Sequence, residues 1–203
     1  MNILGISCSP RKSGNTALLV EQALKGAQSE GAEVELLSLS GLEIKPCDGC
    51  LACRGTGRCH IDDDMQTVYE KLLAADGIIF GTPAYFYSLT AQAKTLIDRT
   101  MALNRRDRNL NNKVGGIIAI AGSIGLIDLL KDFYFFIVVQ RMVPAGFVAA
   151  YATEKGDIKS RPKANQAAWD LGREMVHIVN KKFEYPSEFK RSHYAFGTRP
   201  STS

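Results

Sequence analysis

Short apolar runs alternate along the chain with longer segments in which apolar residues recur every three or four positions. The short runs predict strands buried on both faces, and the longer segments predict amphipathic helices. The predicted strands span 2–7, 32–40, 77–82, 113–122 and 143–151, and the predicted helices span 15–29, 62–76, 90–103, 125–142 and 163–183. This alternation indicates an α/β fold with a doubly wound, five-stranded parallel sheet.

The length of 203 residues suits one domain with a full hydrophobic core. Neither a repeat nor a change in composition divides residues 1–183, which we predict to form that domain. Residues 184–203, rich in proline, serine and aromatic residues, are interpreted as an extended C-terminal tail. The most apolar region, 133–151, is interpreted as a buried helix end followed by a buried strand.

Charge and hydropathy exclude several classes of protein. The net charge of +4 is mild, and the basic run at 105–108 contains an acid, so no nucleic-acid partner is expected. No apolar stretch reaches the ~18 residues that a membrane helix needs, so no membrane partner is expected either. The first positive charges follow the first apolar run, the reverse of a signal peptide. We therefore expect a cytoplasmic protein, in which thiols stay reduced.

The loop after the first predicted strand, "SCSPRKSGNT" at 7–16, has polar residues that lead directly into a helix. Hydroxyl groups and the N–H groups of a helix N-terminus can bind a phosphate monoester without the lysine of a P-loop. The candidate ligands are Ser9, Ser13, Asn15 and Thr16, with Arg11 and Lys12 also available. The alternative is that Ser13 or Asn15 simply caps the helix.

Two further loops follow the third and fourth strands. The segment from Pro83 and Ala84 to Tyr85 and Phe86 offers a flat aromatic surface for a planar ring, or packs on a neighbouring subunit. The segment "AGSIG" at 121–125 includes Gly122 and Ser123, which are small enough for a ring edge to approach the backbone.

These three loops together resemble the FMN site of the flavodoxin-like NAD(P)H-dependent FMN reductase superfamily. The resemblance implies that residues 9–16 bind the ribityl phosphate of FMN. It also implies that Pro83–Phe86 lie against the isoalloxazine ring and that Gly122 and Ser123 lie against its far edge.

Four of the five cysteines lie in "CDGCLACRGTGRC", within a loop that we place at about 44–63. Structural zinc sites usually separate two close cysteine pairs by a dozen or more residues. The spacing C-x2-C-x2-C-x5-C of Cys47, Cys50, Cys53 and Cys59 instead favours a [4Fe–4S] cluster. The glycines at 49, 55 and 57 would let the backbone turn around the cluster. Zinc and a thiol redox or structural role remain alternatives, and Cys8 is interpreted as a small buried residue.

A flavodoxin-like chain with this motif after its second strand resembles the iron–sulfur flavoprotein family. The resemblance implies FMN and a [4Fe–4S] cluster, and a homodimer or a dimer-of-dimers tetramer. It implies electron transfer, with ferredoxin or a similar carrier as donor and dioxygen (O2) or hydrogen peroxide (H2O2) as acceptor. The short loop before "LIDLL" departs from the longer, glycine-paired loop of many relatives.

Electron transfer of this kind demands no acid–base residue, and we assign none. We interpret His60 as an exposed loop residue and Asp62–Asp64 as the first turn of a helix. Because the aromatic loop is predicted to be exposed, the cysteine loop is hypothesised to face a neighbouring subunit's flavin. Two other functions stay open: an NAD(P)H-dependent FMN or quinone reductase with a structural zinc, and a non-enzymatic redox carrier or sensor.

Overall fold

The computed structural model describes residues 1–103 and 109–189. The strands of this part of the chain are β1 (Asn2–Ser7), β2 (Glu33–Ser38), β3 (Gly77–Pro83), β4 (Val114–Ala121) and β5 (Val143–Tyr151). Its α-helices are α1 (Asn15–Ser29), α2 (Ala52–Thr56), α3 (Met65–Ala74), α4 (Ala91–Arg99), α5 (Leu126–Val139) and α6 (Pro162–Asn180). Short 3-10 turns occupy Thr100–Leu103, Asp157–Ser160 and Ser187–Phe189. The basic run 105–108 and residues 190–203 of the predicted tail lie outside the described residues.

The described strands form one sheet in the order β2-β1-β3-β4-β5, and every neighbouring pair is parallel. Helices α1 and α6 cover one face, where Leu19 and Met175 are fully buried. Helices α3, α4 and α5 cover the other face, where Leu72 and Phe133 are fully buried. The predicted doubly wound sheet is confirmed. One helix, α2, was missed because its five residues lie inside the cysteine loop, where the apolar pattern is absent.

The order of the strands creates a switch point between β1 and β3. After β1 the chain moves outward to β2, and after β3 it moves in the opposite direction to β4. The loops that leave β1 and β3 therefore diverge, and a crevice opens between them at the carboxyl edge of the sheet. Ligands of open α/β sheets bind in such crevices.

The prediction of burial for region 133–151 is wrong for its outer side chains. Strand β5 lies at the edge of the sheet, where Phe147 and Tyr151 are more than half exposed. On α5, Phe133 points into the core, but Tyr134, Phe135 and Val138 are exposed. The apolar run is continuous, so the sequence does not reveal which residues face outward. Their exposure follows from the position of β5 at the edge of the sheet.

The first residues of the predicted tail fold back on the domain. The Tyr185 N–H group donates a hydrogen bond to Asn112 Oδ1 at 3.0 Å. The Arg141 guanidinium lies 4.1 Å from the centre of the Tyr185 ring, a cation–π contact. The division into a domain at 1–183 and a tail at 184–203 stays a prediction. Within the described residues, none of the helices combines the length and the hydrophobicity that crossing a membrane requires.

Candidate functional site

The loops after β1 and β3 are fixed to each other at the switch point. The Cys8 N–H group donates to the Gly81 carbonyl at 2.8 Å. The Thr90 hydroxyl donates to the Cys8 carbonyl at 2.8 Å and accepts from Ala93 N–H at 3.1 Å, which makes Thr90 the cap of α4. Cys8 is completely buried, as predicted. Its backbone thus holds the first loop against β3 and α4.

The first loop presents an open helix N-terminus. Gly14 is the N-cap residue of α1, and no hydrogen bond from a side chain of the described residues caps this helix. The alternative of simple capping by Ser13 or Asn15 is therefore wrong. Ser9 and Thr16 are buried beside the helix N-terminus. Uncapped N–H groups together with hydroxyl groups fit an anion such as a phosphate.

The remaining candidates of this loop differ in what their side chains do. Asn15 is buried, and its side chain binds the segment after β5, donating to Glu154 O at 2.8 Å and accepting from Gly156 N–H at 2.8 Å. Asn15 can therefore offer an anion its backbone N–H group but not its amide. Arg11, Lys12 and Ser13 are exposed around the loop. The Arg11 N–H group donates to Ser9 Oγ at 3.2 Å.

A further hydroxyl group lies at the base of this loop. Ser7 Oγ, at the end of β1, is buried and has no hydrogen-bond partner among the described residues. A buried polar atom without a partner is costly unless a ligand or water completes it. The Ser7 hydroxyl at the base of the loop thus lacks a hydrogen-bond partner, as expected for a loop that binds an anion.

The aromatic loop is a tight turn that projects from the end of β3. Tyr85 and Ser88 exchange two backbone hydrogen bonds, of 3.0 and 3.2 Å. Phe86 and Tyr87 have left-handed backbones, with φ of 46° and 65°. The turn exposes the Phe86 side chain almost entirely, at 96%. An exposed aromatic surface at the mouth of the crevice fits a planar ligand.

The third loop contacts this aromatic turn. Gly125 has φ of 103°, and a Cβ atom added there would lie 2.9 Å from Tyr87 Cα, so no larger residue fits without a shift. Gly122 and Ser123 are exposed beside it. The structure therefore brings the three predicted loops to one edge of the sheet.

The cysteine loop leaves the same edge after β2. All five cysteines lie in the described part of the chain, and no disulfide joins any two of them. Cys47 and Cys50 are exposed, whereas Cys53 and Cys59 are half-buried against the core. Gly49 and Gly57 adopt left-handed backbones, as their predicted role requires, but Gly55 lies inside α2 with an ordinary helical backbone.

The tip of the loop is closed by Asp48. Its carboxylate accepts from Cys50 N–H at 3.1 Å and is hydrogen-bonded to His60 Nε2 at 2.7 Å. The hydrogen bond from the Cys50 backbone, with further ones from the Cys50 thiol and His60, lowers the pKa of Asp48 to about 2. His60 is exposed, as predicted, but it has a partner that the sequence did not suggest.

The base of the loop is closed by a buried ion pair. Asp63 accepts from Arg99 Nη1 at 2.8 Å and from Arg99 Nη2 at 3.0 Å, and both side chains are almost completely buried. The neighbouring Asp64 accepts from Glu43 N–H at 2.7 Å. Helix α3 begins only at Met65, so the interpretation of Asp62–Asp64 as its first turn is wrong. Asp63 and Asp64 instead form hydrogen bonds that hold the C-terminal segment of the cysteine loop in place.

Comparison with known proteins gives the family. The model of the NADPH-dependent FMN reductase family matches residues 1–154. An iron–sulfur flavoprotein of Methanocaldococcus jannaschii is 38% identical over 189 residues, which are 88% of this chain and 97% of that protein. An iron–sulfur flavoprotein of Methanosarcina thermophila is 45% identical over 123 residues, 61% of this chain and 64% of that protein. The chain belongs to the iron–sulfur flavoprotein family.

The fold agrees with this assignment. A flavodoxin from the domain Archaea superimposes with a TM-score of 0.57 at 16% identity, covering 89% of this chain and 99% of the flavodoxin. The predicted flavodoxin-like fold and the predicted class, an FMN-dependent oxidoreductase, are confirmed. Family membership also confirms the prediction of FMN and an iron–sulfur cluster as cofactors. The residues that bind them, and the number of irons, stay predictions.

The donor set of the cysteine loop fits an iron–sulfur cluster. Clusters of this kind are held by cysteine thiolates, and the loop carries four free cysteines between Cys47 and Cys59. Each thiolate of a cubane binds a different iron, so the four thiols would supply one ligand for each iron.

Sequence analysis missed Arg99 and Asp48. Arg99 occupies a position on α4 that a buried apolar residue could equally fill, and its partner Asp63 is 36 residues away. Only the acidic run at 62–64 hinted that a buried cation was needed. Asp48 stands between two cysteines, where an Asx turn was a possible signal.

Proposed function

We propose that this iron–sulfur flavoprotein binds FMN at the switch point and a [4Fe–4S] cluster through Cys47, Cys50, Cys53 and Cys59. The observation that carries the proposal is that four free thiols lie in one loop which leaves the same edge of the sheet as the three FMN loops. Two cofactor sites on one edge of the sheet are compatible with electron transfer between them, within one subunit or between subunits.

In the FMN site, the N-terminus of α1 with Ser9 and Thr16 would bind the phosphate. Pro83, Ala84, Tyr85 and Phe86 would lie against the ring, and Gly122 and Ser123 against its far edge. The open N-terminus of α1 and the exposed aromatic turn support this placement. Arg11, Lys12 and Ser13 would add charge and hydrogen bonds at the rim, and Asn15 would contribute its N–H group.

The proposed reaction passes electrons between a one-electron carrier such as ferredoxin and a small acceptor, O2 or H2O2. FMN accepts one or two electrons and therefore couples these two kinds of partner. Exposed Cys47 and Cys50 support the proposal because they would leave one side of the cluster open to a carrier. The mild positive charge would favour an acidic carrier.

Anaerobic purification with iron, zinc and flavin analysis tests the cofactors. We expect about four irons per chain and one FMN, with the broad visible absorption of a cluster beside that of the flavin. A second assay follows reoxidation of protein reduced through ferredoxin, with O2 or H2O2 as acceptor. Zinc in place of iron, or a cluster that ferredoxin cannot reduce, would contradict the proposal.

A second candidate is an NADPH-dependent reductase of flavin or quinone with a structural zinc. The description of the matching family model favours NADPH as donor, and Asp48, Cys50 and His60 place three zinc-type donor atoms within 4.8 Å. Stopped-flow mixing with NADPH under anaerobic conditions separates the candidates. Rapid bleaching of the flavin without a carrier protein would favour this second function.

We further propose that the protein is a homodimer or a dimer-of-dimers tetramer, in which the cysteine loop of one subunit serves the flavin of another. The exposure of Phe86 and of Phe135 and Phe147 supports an interface between copies. Mixed oligomers test this arrangement: one subunit lacks the cysteines and the other cannot bind FMN. We expect partial recovery of turnover, and well-formed mixed oligomers without turnover would contradict it.

A further inference from the structure

The buried guanidinium of Arg99 binds both ends of the cysteine loop. Nη1 donates to the Lys45 carbonyl at 2.7 Å, in the N-terminal segment of the loop. In the C-terminal segment of the loop, Arg99 donates hydrogen bonds to the carboxylate of Asp63 at 2.8 and 3.0 Å and to the Ile61 carbonyl at 3.5 Å. Asp63 in turn accepts from Lys45 N–H at 2.8 Å, which closes the network across the base.

The ion pair at the base of the loop stays charged. Burial alone would lower the pKa of Arg99, but its hydrogen bonds, above all those to Asp63, hold that pKa above its ordinary value. Burial would likewise raise the pKa of Asp63, but the hydrogen bonds from Arg99 and from backbone N–H groups hold it below its ordinary value. The link across the base of the loop therefore does not depend on pH near neutrality.

One donor of this cation is unused. Arg99 Nε is buried and has no hydrogen-bond partner in the part of the chain that the structure describes. The Tyr69 hydroxyl donates to the Arg99 carbonyl at 2.8 Å, and its side chain also interacts with Cys59. A buried N–H group left without an acceptor is costly, so an acceptor from a bound group is expected. The thiolate or a sulfide of a cluster would be such an acceptor.

Arg99 also belongs to the element that begins at the FMN site. It is the last residue of α4, and α4 starts at the Thr90 cap that holds the Cys8 carbonyl. One nine-residue helix therefore joins the crevice at its N-terminus to the base of the cysteine loop at its C-terminus. The position of the loop relative to the crevice depends on this helix.

From these contacts we infer that Arg99 is a positioning residue for the cluster: its guanidinium, paired with Asp63, joins the two ends of the cysteine loop and holds the loop in the conformation that binds the cluster. The inference rests on the proposed cluster ligands and extends them. Partners that orient metal ligands typically contribute about 10- to 100-fold in metal affinity.

The test uses two variants of the full-length protein, purified anaerobically. Arg99→Met combined with Asp63→Asn removes both charges, so no uncompensated charge stays buried, and such replacements are often tolerated. Arg99→Lys keeps the cation but loses the planar fork. Arg173→Gln, which removes an exposed arginine paired with Glu30, is the matched control.

We expect the double variant to fold and to keep its FMN, but to lose iron to a chelator about 10- to 100-fold faster. Its FMN content and its FMN potential, measured by spectroelectrochemical titration, should stay near those of the wild type. Arg99→Lys, which keeps the charge that pairs with Asp63, should lose iron at a rate between those of the double variant and the wild type. Arg173→Gln should match the wild type in both measurements.

Wild-type iron retention in the double variant would overturn the inference. If the double variant does not fold, Arg99→Lys decides, and unchanged iron loss in that variant overturns the inference as well. A wild-type protein that holds FMN but no iron would instead overturn the proposed function. The two failures are therefore distinguishable.

Discussion

The FMN loops and the cysteine loop leave the same edge of one sheet but are held in different ways. The FMN loops are short, and backbone hydrogen bonds such as that from Cys8 to Gly81 fix them to parallel strands. The cysteine loop spans the 26 residues between β2 and α3, and side chains hold it: Asp48 at the tip, Asp63 and Arg99 at the base. The FMN loops are therefore positioned by the backbone of the sheet, whereas the cysteine loop is positioned by a few contacts of charged side chains.

This difference predicts unequal responses to mutation. A site made by the sheet should resist single substitutions outside its own ligands, because the backbone remains in place. A loop held by one buried ion pair should depend strongly on that pair. The following predictions test this contrast, from the largest expected effect to the smallest.

Replacing one proposed cluster ligand should abolish one cofactor and spare the other. Cys53→Ser is expected to leave the purified protein with FMN but without an intact cluster, since the loss of a thiolate ligand opens the cluster. Iron and flavin per chain are measured on the same sample. Cys8→Ala is the control, because the Cys8 thiol is buried outside the loop and should not affect iron content. Full iron content in Cys53→Ser would exclude this residue as a ligand.

Removing only the anion of the buried pair should destabilise the protein strongly. Asp63→Asn leaves the Arg99 cation buried without its carboxylate, and breaking a buried ion pair in this way costs about 3–5 kcal/mol. Chemical denaturation of the variant measures the free energy of unfolding. The Arg99→Met/Asp63→Asn double variant should recover much of the loss. Equal destabilisation of the single and double variants would show that charge is not the cause.

Removing one phosphate-binding hydroxyl should weaken FMN binding and leave the cluster intact. Thr16→Val keeps the shape of a buried side chain but removes a hydrogen bond to a charged group, worth about 2 kcal/mol. The dissociation constant of FMN should rise about 30-fold, which fluorescence titration of the apoprotein measures. Thr67→Val, at an exposed position on α3, should bind FMN like the wild type. An unchanged dissociation constant in Thr16→Val would place the phosphate elsewhere.

Removing an exposed ion pair should have the smallest effect on stability, and that effect should depend on pH. Arg173 holds Glu30 by a hydrogen bond of 2.6 Å, and this hydrogen bond lowers the pKa of Glu30. Because the folded-state pKa lies below the ordinary value of about 4.3, the stabilisation is fully present above that value and disappears as pH falls through the lowered pKa. Glu30→Gln should therefore melt slightly below the wild type near neutral pH, and at the same temperature once Glu30 is protonated. A difference in melting temperature that persists in acid would show a contact other than charge.

The sequence predicted the strands and the class of cofactor better than it predicted the roles of single residues. Apolar runs gave the five strands, since buried strands in a parallel sheet need apolar residues on both faces. The cysteine spacing and the loops after strands one, three and four led to the right family and class of cofactor. The sequence did not separate Ser9 and Thr16, which are buried at the helix N-terminus, from Asn15, whose amide binds the segment after β5. Hydrogen bonds between residues 139 positions apart leave no local pattern.

What the sequence determined by itself was the set of elements and the chemistry of the loops between them, because both follow from local spacing. The tertiary structure alone decided which loops meet, which face of α5 stays exposed and which cation joins the ends of the cysteine loop. Arg99 shows why: arginine is a residue type that is mostly solvent-exposed, even at a helix position on the buried face. Its burial is possible only because the fold places the Asp63 carboxylate and two backbone carbonyls around it. Such compensation is a property of the assembled chain, and no short stretch of sequence contains it.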